Sequence, residues 1–114
     1  MALVLCTGVD EILIRTRQLL LEGAGHKVIP ATGQLQLIRA CEENQFDVAV
    51  VGQVITKPEK QRILSLIREH CPEARVLELF TPSTGRWLPD ADDWLEVPGQ
   101  IPSEFVERVS MLAR

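Results

Sequence analysis

The chain has 114 residues, with 12 Lys and Arg against 16 Asp and Glu, which gives a formal net charge of −4. This length predicts a single domain over residues 1–114, whether stand-alone or excised from a larger regulator. The basic residues form no run of the kind that binds nucleic acid, and no apolar stretch reaches the ~20 residues of a membrane span. We therefore expect a domain that contacts neither nucleic acid nor a membrane directly.

Short apolar runs alternate with helical spacings along the chain. The predicted strands are Ala2–Thr7, His26–Ala31, Phe46–Val51, Arg75–Phe80 and Trp94–Val97, the last stopped by Pro98-Gly99. The predicted helices are Asp10–Gly23, Gln34–Asn44, a segment from a Thr56 capping box to just before Pro72, and Pro102–Ala113. This alternation predicts a parallel α/β sheet that is covered on both faces.

The first predicted helix has an apolar face and a polar face. The apolar positions at helical spacing are Ile12, Thr16, Leu19, Leu20 and Gly23. Arg15 and Arg17 fall among the polar positions, so we expect both side chains to point away from the sheet.

The segment Thr81–Asp93 departs from the alternation. It holds Pro82, Gly85 and Pro89 and shows almost no apolar periodicity. It is also too short for a helix with two connecting loops, so the fourth helix is predicted to be shortened or lost.

Several local patterns resemble those of bacterial response-regulator receiver domains. Leu19–Val28 is similar to the LLE-x-x-G-Y-x-V stretch between first helix and second strand, and Phe46–Val51 to the motif FDLVLL. Ala91–Leu95 resembles the ADDYL entry to the fifth strand, and Val97-Pro98 falls where receivers have Lys-Pro. The resemblance covers nearly the whole chain and implies a flavodoxin-like (βα)5 doubly wound fold in two-component, phosphorelay signalling.

The resemblance also implies where a phosphoryl pocket would lie. Receivers bind Mg²⁺ through an acidic pair after the first strand, because a hard cation prefers carboxylate oxygens. Val9 and Asp10 fall at that pair, which leaves Asp10 as a weak candidate metal ligand. Gly52 takes the position of the phosphoacceptor aspartate, so no nucleophile is present there.

The remaining receiver positions are altered as well. The conserved hydroxyl of receivers falls at Phe80, or at Thr81 with a one-residue slip, and the lysine that pairs with the phosphoryl group falls at Val97. Only the aromatic residue that reports the switched state of receivers has a counterpart, Trp94. The resemblance thus implies a degenerate receiver that is neither phosphorylated nor an enzyme and that needs no cofactor.

Arg86, Trp87 and Leu88 stand together in the irregular segment. A Trp beside an Arg is typical of a protein–protein interface anchor, so we predict that these side chains are exposed and bind a partner or a second copy as a homodimer. An oligomerisation module of a larger regulator is a further interpretation.

The three cysteines have no CxxC spacing, which argues against a disulfide framework or a zinc site. Cys41 and Cys71 are predicted to be buried apolar residues, and a reduced, cytoplasmic setting follows. Cys6 offers an alternative function, because Leu-Val-Leu-Cys-Thr-Gly before a helix resembles the phosphocysteine loop of phosphotransferase-system IIB proteins. Against it, Asp10 and Glu11 would repel a phosphate at that helix start.

Overall fold

One five-stranded parallel sheet forms the centre of the molecule. The structure is a computed structural model that describes residues 1–97 and 102–114. The strands are β1 (Leu3–Gly8), β2 (Lys27–Thr32), β3 (Val48–Val51), β4 (Arg75–Phe80) and β5 (Asp93–Glu96). They pair in the order β2-β1-β3-β4-β5, which confirms the predicted flavodoxin-like α/β fold. The predicted stop at Pro98-Gly99 lies outside the described residues.

Four helices among the described residues cover the two faces of the sheet. They are α1 (Glu11–Gly23), α2 (Gln34–Glu43), α3 (Lys57–His70) and α4 (Pro102–Leu112). One apolar cluster joins the sheet to α2 and α3, and a second cluster joins its opposite face to α1 and α4. All four residues of β3 are buried, as a central strand covered on both faces requires. Within the described ranges, no helix has the length and apolar character needed to cross a membrane.

The prediction of which side of α1 packs on the sheet is wrong. Ile12 and Leu19 are 78% and 54% exposed, whereas Ile14 and Leu21 are buried against the sheet. Apolar residues lie on both sides of this helix, so the spacing alone did not identify the side that packs. Arg17, three residues after Ile14 and four before Leu21, therefore lies on the side that faces the sheet.

The predicted loss of the fourth helix is confirmed, because residues 81–92 contain turns and bends but no helix. This segment, which we call the irregular segment, packs on the cluster shared with α2 and α3 through buried Leu88 and Ala91. It therefore covers part of the sheet face near β4 without regular structure.

Candidate functional site

The pocket predicted from the sequence lies at the carboxyl ends of β1 and β3. Gly52 is buried, and its backbone N–H donates to the carbonyl oxygen of Thr7 at 3.0 Å. Val9 and Asp10 line the same small cavity as Gly52, with a volume of about 10 Å³. The structure thus brings these three predicted residues together around a space at the lower limit of what a single water molecule needs.

Asp10 caps the amino terminus of α1. Its Oδ1 accepts hydrogen bonds from the backbone N–H groups of Ile12, at 3.0 Å, and Leu13, at 3.2 Å. No cluster of three His, Cys, Asp or Glu side chains able to hold a metal ion occurs in the part of the chain that the structure describes. A single carboxylate already bound to helix amides provides little coordination for a hard divalent cation.

Arg17 reaches into this edge of the sheet from α1. A Cβ atom placed on Gly52 would lie only 3.2 Å from Arg17 Nη1. Arg17 Nη2 donates a hydrogen bond to Oε1 of Gln53. Burial lowers the pKa of Arg17, while Cys6 and Asp10 oppose that shift. The pocket therefore has a guanidinium beside Gly52.

Phe80, Thr81 and Val97 lie at the ends of β4 and β5. Thr81 Oγ1 lies 3.0 Å from Ser83 Oγ and 3.2 Å from Thr84 Oγ1, so this hydroxyl is engaged within its own turn. The backbone N–H of Val97 donates to the carbonyl oxygen of Phe80 at 2.7 Å, which extends the β4–β5 pairing. An apolar Val97 provides no cation at this edge.

A buried ion pair lies beneath the irregular segment. Lys60 Nζ of α3 lies 2.8 Å from Glu78 Oε2 of β4, and the two side chains are 1% and 0% exposed. Lys60 also donates to the carbonyl oxygen of Leu79 at 2.6 Å. The Glu78 carboxylate accepts the backbone N–H groups of Trp87 and Leu88, both at 2.9 Å. Glu78 thereby fixes the irregular segment to the sheet.

The three residues predicted to form an interface, Arg86, Trp87 and Leu88, differ in exposure. Leu88 is 1% exposed, so its predicted exposure is wrong: its backbone is bound to Glu78 and its side chain packs into the core. Trp87 is half-buried, with Lys60 Nζ 5.6 Å from its ring centroid. Only Arg86 of the three is exposed.

Arg86 lies over two aromatic rings. Its guanidinium carbon is 4.8 Å from the ring centroid of Trp94 and 5.7 Å from that of Phe80. The indole of Trp94 is fixed to the irregular segment, because its Nε1 donates a hydrogen bond to the carbonyl oxygen of Leu88 at 2.9 Å. Phe80, Arg86, Trp87 and Trp94 form what we call the aromatic patch, in which every residue is exposed or half-buried.

The prediction for Cys41 and Cys71 needs a correction. Cys41 and Cys71 are buried as predicted, but their sulfur atoms form a disulfide that the sequence argument had ruled against. The end of α2 and the carboxyl cap of α3 meet on one face of the sheet, which brings the two residues together. A cytoplasmic setting was inferred from the expected absence of disulfides and loses that support.

Cys6 lies within β1, at Leu3–Gly8, as the predicted first strand required. It is 1% exposed, and burial raises the pKa of its thiol to about 12. A thiol rather than a thiolate is therefore present at neutral pH, and the phosphocysteine alternative lacks its nucleophile.

The fold is similar to that of known receiver domains. The receiver domain of a Francisella response regulator superposes with a TM-score of 0.81 and 19% identity, covering 99% of this chain and 97% of that one. A chemotaxis protein of Vibrio cholerae gives a TM-score of 0.81 at 18% identity, with 98% of each chain covered. No family model and no curated protein matches the sequence.

A third similar structure is the receiver domain of a sensor histidine kinase of Pseudomonas aeruginosa, which has a magnesium ion coordinated in its active site cleft. Its TM-score is 0.77 at 15% identity, over 98% of this chain and 97% of that one. At these identities the similarity establishes the fold, which is that of receiver domains.

Proposed function

We propose that this protein is a receiver-like signalling module of the two-component type that acts by protein–protein interaction without aspartyl phosphorylation. The observation that carries the proposal is Gly52, which offers no carboxylate, with Arg17 Nη1 3.2 Å from the place of a Cβ atom there. The receiver fold itself is shared with proteins of response-regulator signalling.

Loss of phosphorylation follows from the chemistry of the pocket. An acyl phosphate forms only on a carboxylate, and Gly52 has no side chain. Mg²⁺ binding needs several oxygen ligands, whereas Asp10 caps α1 and Arg17 adds a positive charge to the same edge. This pocket therefore favours neither the nucleophile nor the metal that receiver phosphorylation requires.

A contact surface is available in the aromatic patch. Trp and Arg are the residues most often found at interface hot spots, where a large rigid side chain loses little entropy on binding. The buried Lys60–Glu78 ion pair lies beneath the patch, and the hydrogen bond from Trp94 to Leu88 fixes one of its rings. We propose that the patch binds a second copy of the chain or another signalling protein.

Self-association through the patch is tested with Arg86→Ala, since Arg86 is exposed and its removal leaves the core unchanged. Arg62→Ala, at an exposed arginine of α3, is the matched control. Sedimentation velocity over a concentration series should show a native dimer that Arg86→Ala weakens and Arg62→Ala does not.

Trp87→Ala should weaken the dimer as well. Because Trp87 is half-buried, we expect this change to lower the free energy of unfolding by about 1–2 kcal/mol, which thermal melts will report. Equal dimerisation by the native protein and its three variants, Arg86→Ala, Trp87→Ala and Arg62→Ala, would exclude the aromatic patch as the dimer contact. A native protein that stays monomeric would exclude self-association and leave only a different protein as partner.

A further inference from the structure

A second cavity lies on the other side of Arg17, between α1 and α4. It has a volume of about 210 Å³ and opens near the carboxyl ends of β4 and β5. Its walls are mostly apolar and include Leu13, Leu20, Leu79, Leu95, Val97 and Phe105. We call this space the α1–α4 cleft.

One end of the α1–α4 cleft is polar. Arg17 and Gln53 line this end, and Arg17 Nη2 donates to Gln53 Oε1. Because the amide oxygen accepts this bond, the amide nitrogen of Gln53 is left as a donor. The polar end thus offers hydrogen-bond donors from both side chains.

The half-buried guanidinium of Arg17 has no ion-pair partner among residues 1–97 and 102–114, and the carboxylate of Asp10 attracts it from beyond salt-bridge distance. No carboxylate oxygen of those residues lies within 4.0 Å of it, and Gln53 Oε1 is its one hydrogen-bond acceptor there. A guanidinium has five N–H donors in a planar fork, and removing it from water without an anion is unfavourable. Burial accordingly lowers the pKa of Arg17. An anion beside Arg17 would satisfy both the charge and the donors.

We propose that the α1–α4 cleft binds a small monocarboxylate, with its apolar body between α1 and α4 and its carboxylate on Arg17. A carboxylate matches the fork of a guanidinium, and a body without charge matches the apolar walls. Phosphate fits less well, because a dianion without an apolar part would leave those walls uncovered. This binding site does not depend on the proposed signalling function.

The volume sets the size of the ligand. Since one water molecule takes up about 30 Å³ of the liquid, 210 Å³ holds about seven water-sized groups. Hexanoate, with about eight heavy atoms, is therefore a suitable probe, and ligands of that size bind in about the millimolar range.

The experiment is an NMR titration of the ¹³C-methyl and ¹⁵N-amide spectra with sodium hexanoate. The neutral isostere 1-hexanol and the cation hexylamine are titrated in parallel, each to about 50 mM or its solubility limit. We expect saturable hexanoate shifts at the methyl groups of Leu79, Leu95 and Val97, which line the cleft. Hexanol should bind more weakly than hexanoate, and hexylamine more weakly still.

One variant tests the contribution of Arg17 to binding, a second tests the cleft, and a third serves as the matched control. Arg17→Met should raise the Kd for hexanoate at least about tenfold, to that of hexanol, which is a change of about 1.4 kcal/mol. Arg15→Met, at an exposed arginine of the same helix, should leave the Kd within about twofold. Val97→Phe keeps Arg17 but fills the cleft and should abolish binding, so it tests the cleft as the site even if Arg17→Met does not fold.

Several results would each overturn the proposal. They are the absence of saturable hexanoate binding, equal affinity for hexanoate and hexanol, an unchanged Kd in a folded Arg17→Met protein, and shifts that map away from the cleft. Retention of binding by folded Val97→Phe would count against it equally.

Discussion

Replacing Glu78 should release the irregular segment from the sheet. In Glu78→Gln, the amide oxygen can accept one of the two backbone N–H groups of Trp87 and Leu88, while the amide nitrogen faces donors. With the amide oxygen at the Oε2 position, the ammonium of Lys60 keeps a neutral acceptor there beside the carbonyl oxygen of Leu79 but loses its counter-charge. Breaking a buried pair costs about 3–5 kcal/mol, and an orphaned N–H about 1–3 kcal/mol.

The expected net loss for Glu78→Gln is smaller than that sum. Burial already lowers the pKa of Lys60, so its ammonium can lose a proton when the carboxylate is removed, which avoids part of the charge penalty. We therefore expect the free energy of unfolding to fall by about 2–4 kcal/mol. The protein should remain folded if its total stability lies in the usual range of about 5–15 kcal/mol.

Urea denaturation followed by tryptophan fluorescence measures this effect. Both tryptophans, Trp87 and Trp94, lie in or beside the irregular segment, so its release should shift their emission to the red and expose them to iodide quenching. Glu96→Gln is the matched control, because Glu96 is an exposed strand residue and should cost less than about 0.5 kcal/mol. Equal stability of the two variants, or unchanged emission in Glu78→Gln, would refute the assigned role of Glu78.

Three further predictions concern the pocket and the cysteines. Gly52→Asp alone should not restore phosphorylation by acetyl phosphate and Mg²⁺, because its carboxylate would pair with Arg17. Such pairing depresses the pKa of the carboxylate, so the stability that the pair contributes should be lost as the pH falls through that lowered pKa. Robust Mg²⁺-dependent phosphorylation in intact mass spectra would show that this pocket is misassigned. Unreduced, denatured protein should titrate one thiol per chain, Cys6, and reduced protein three; three without reductant would exclude the disulfide between Cys41 and Cys71. Native Cys6 should resist alkylation at pH 8, because burial raises its pKa to about 12.

The strands were predictable because local pattern and burial agree, whereas their order in the sheet was implied by the resemblance to receiver domains. Arg75–Phe80 was predicted with the bounds that the structure shows, and β3 was recognised by a continuous apolar run. The buried side of α1 was not predictable, since apolar residues lie on both sides of the helix and only tertiary packing chooses between them. The role of Arg17 was missed for the same reason.

The buried ion pair and the disulfide depend on contacts between distant elements. A single glutamate inside the apolar run Arg75–Phe80 was the available signal for Glu78, because a buried carboxylate needs partners. Its partner Lys60 lies on α3, and no spacing in the sequence connects the two. Cys41 and Cys71, which are 30 residues apart, likewise meet only because α2 and α3 pack on one face.

The central claim is that this receiver fold signals without phosphorylation, and intact mass spectrometry tests it most directly. The native protein is incubated with acetyl phosphate and Mg²⁺ beside a receiver domain that is known to be phosphorylated. Because Gly52 has no carboxylate and Arg17 lies beside it, the mass of this protein should stay unchanged while that of the control increases. An acid-labile adduct of one phosphoryl group on an aspartate would contradict the claim.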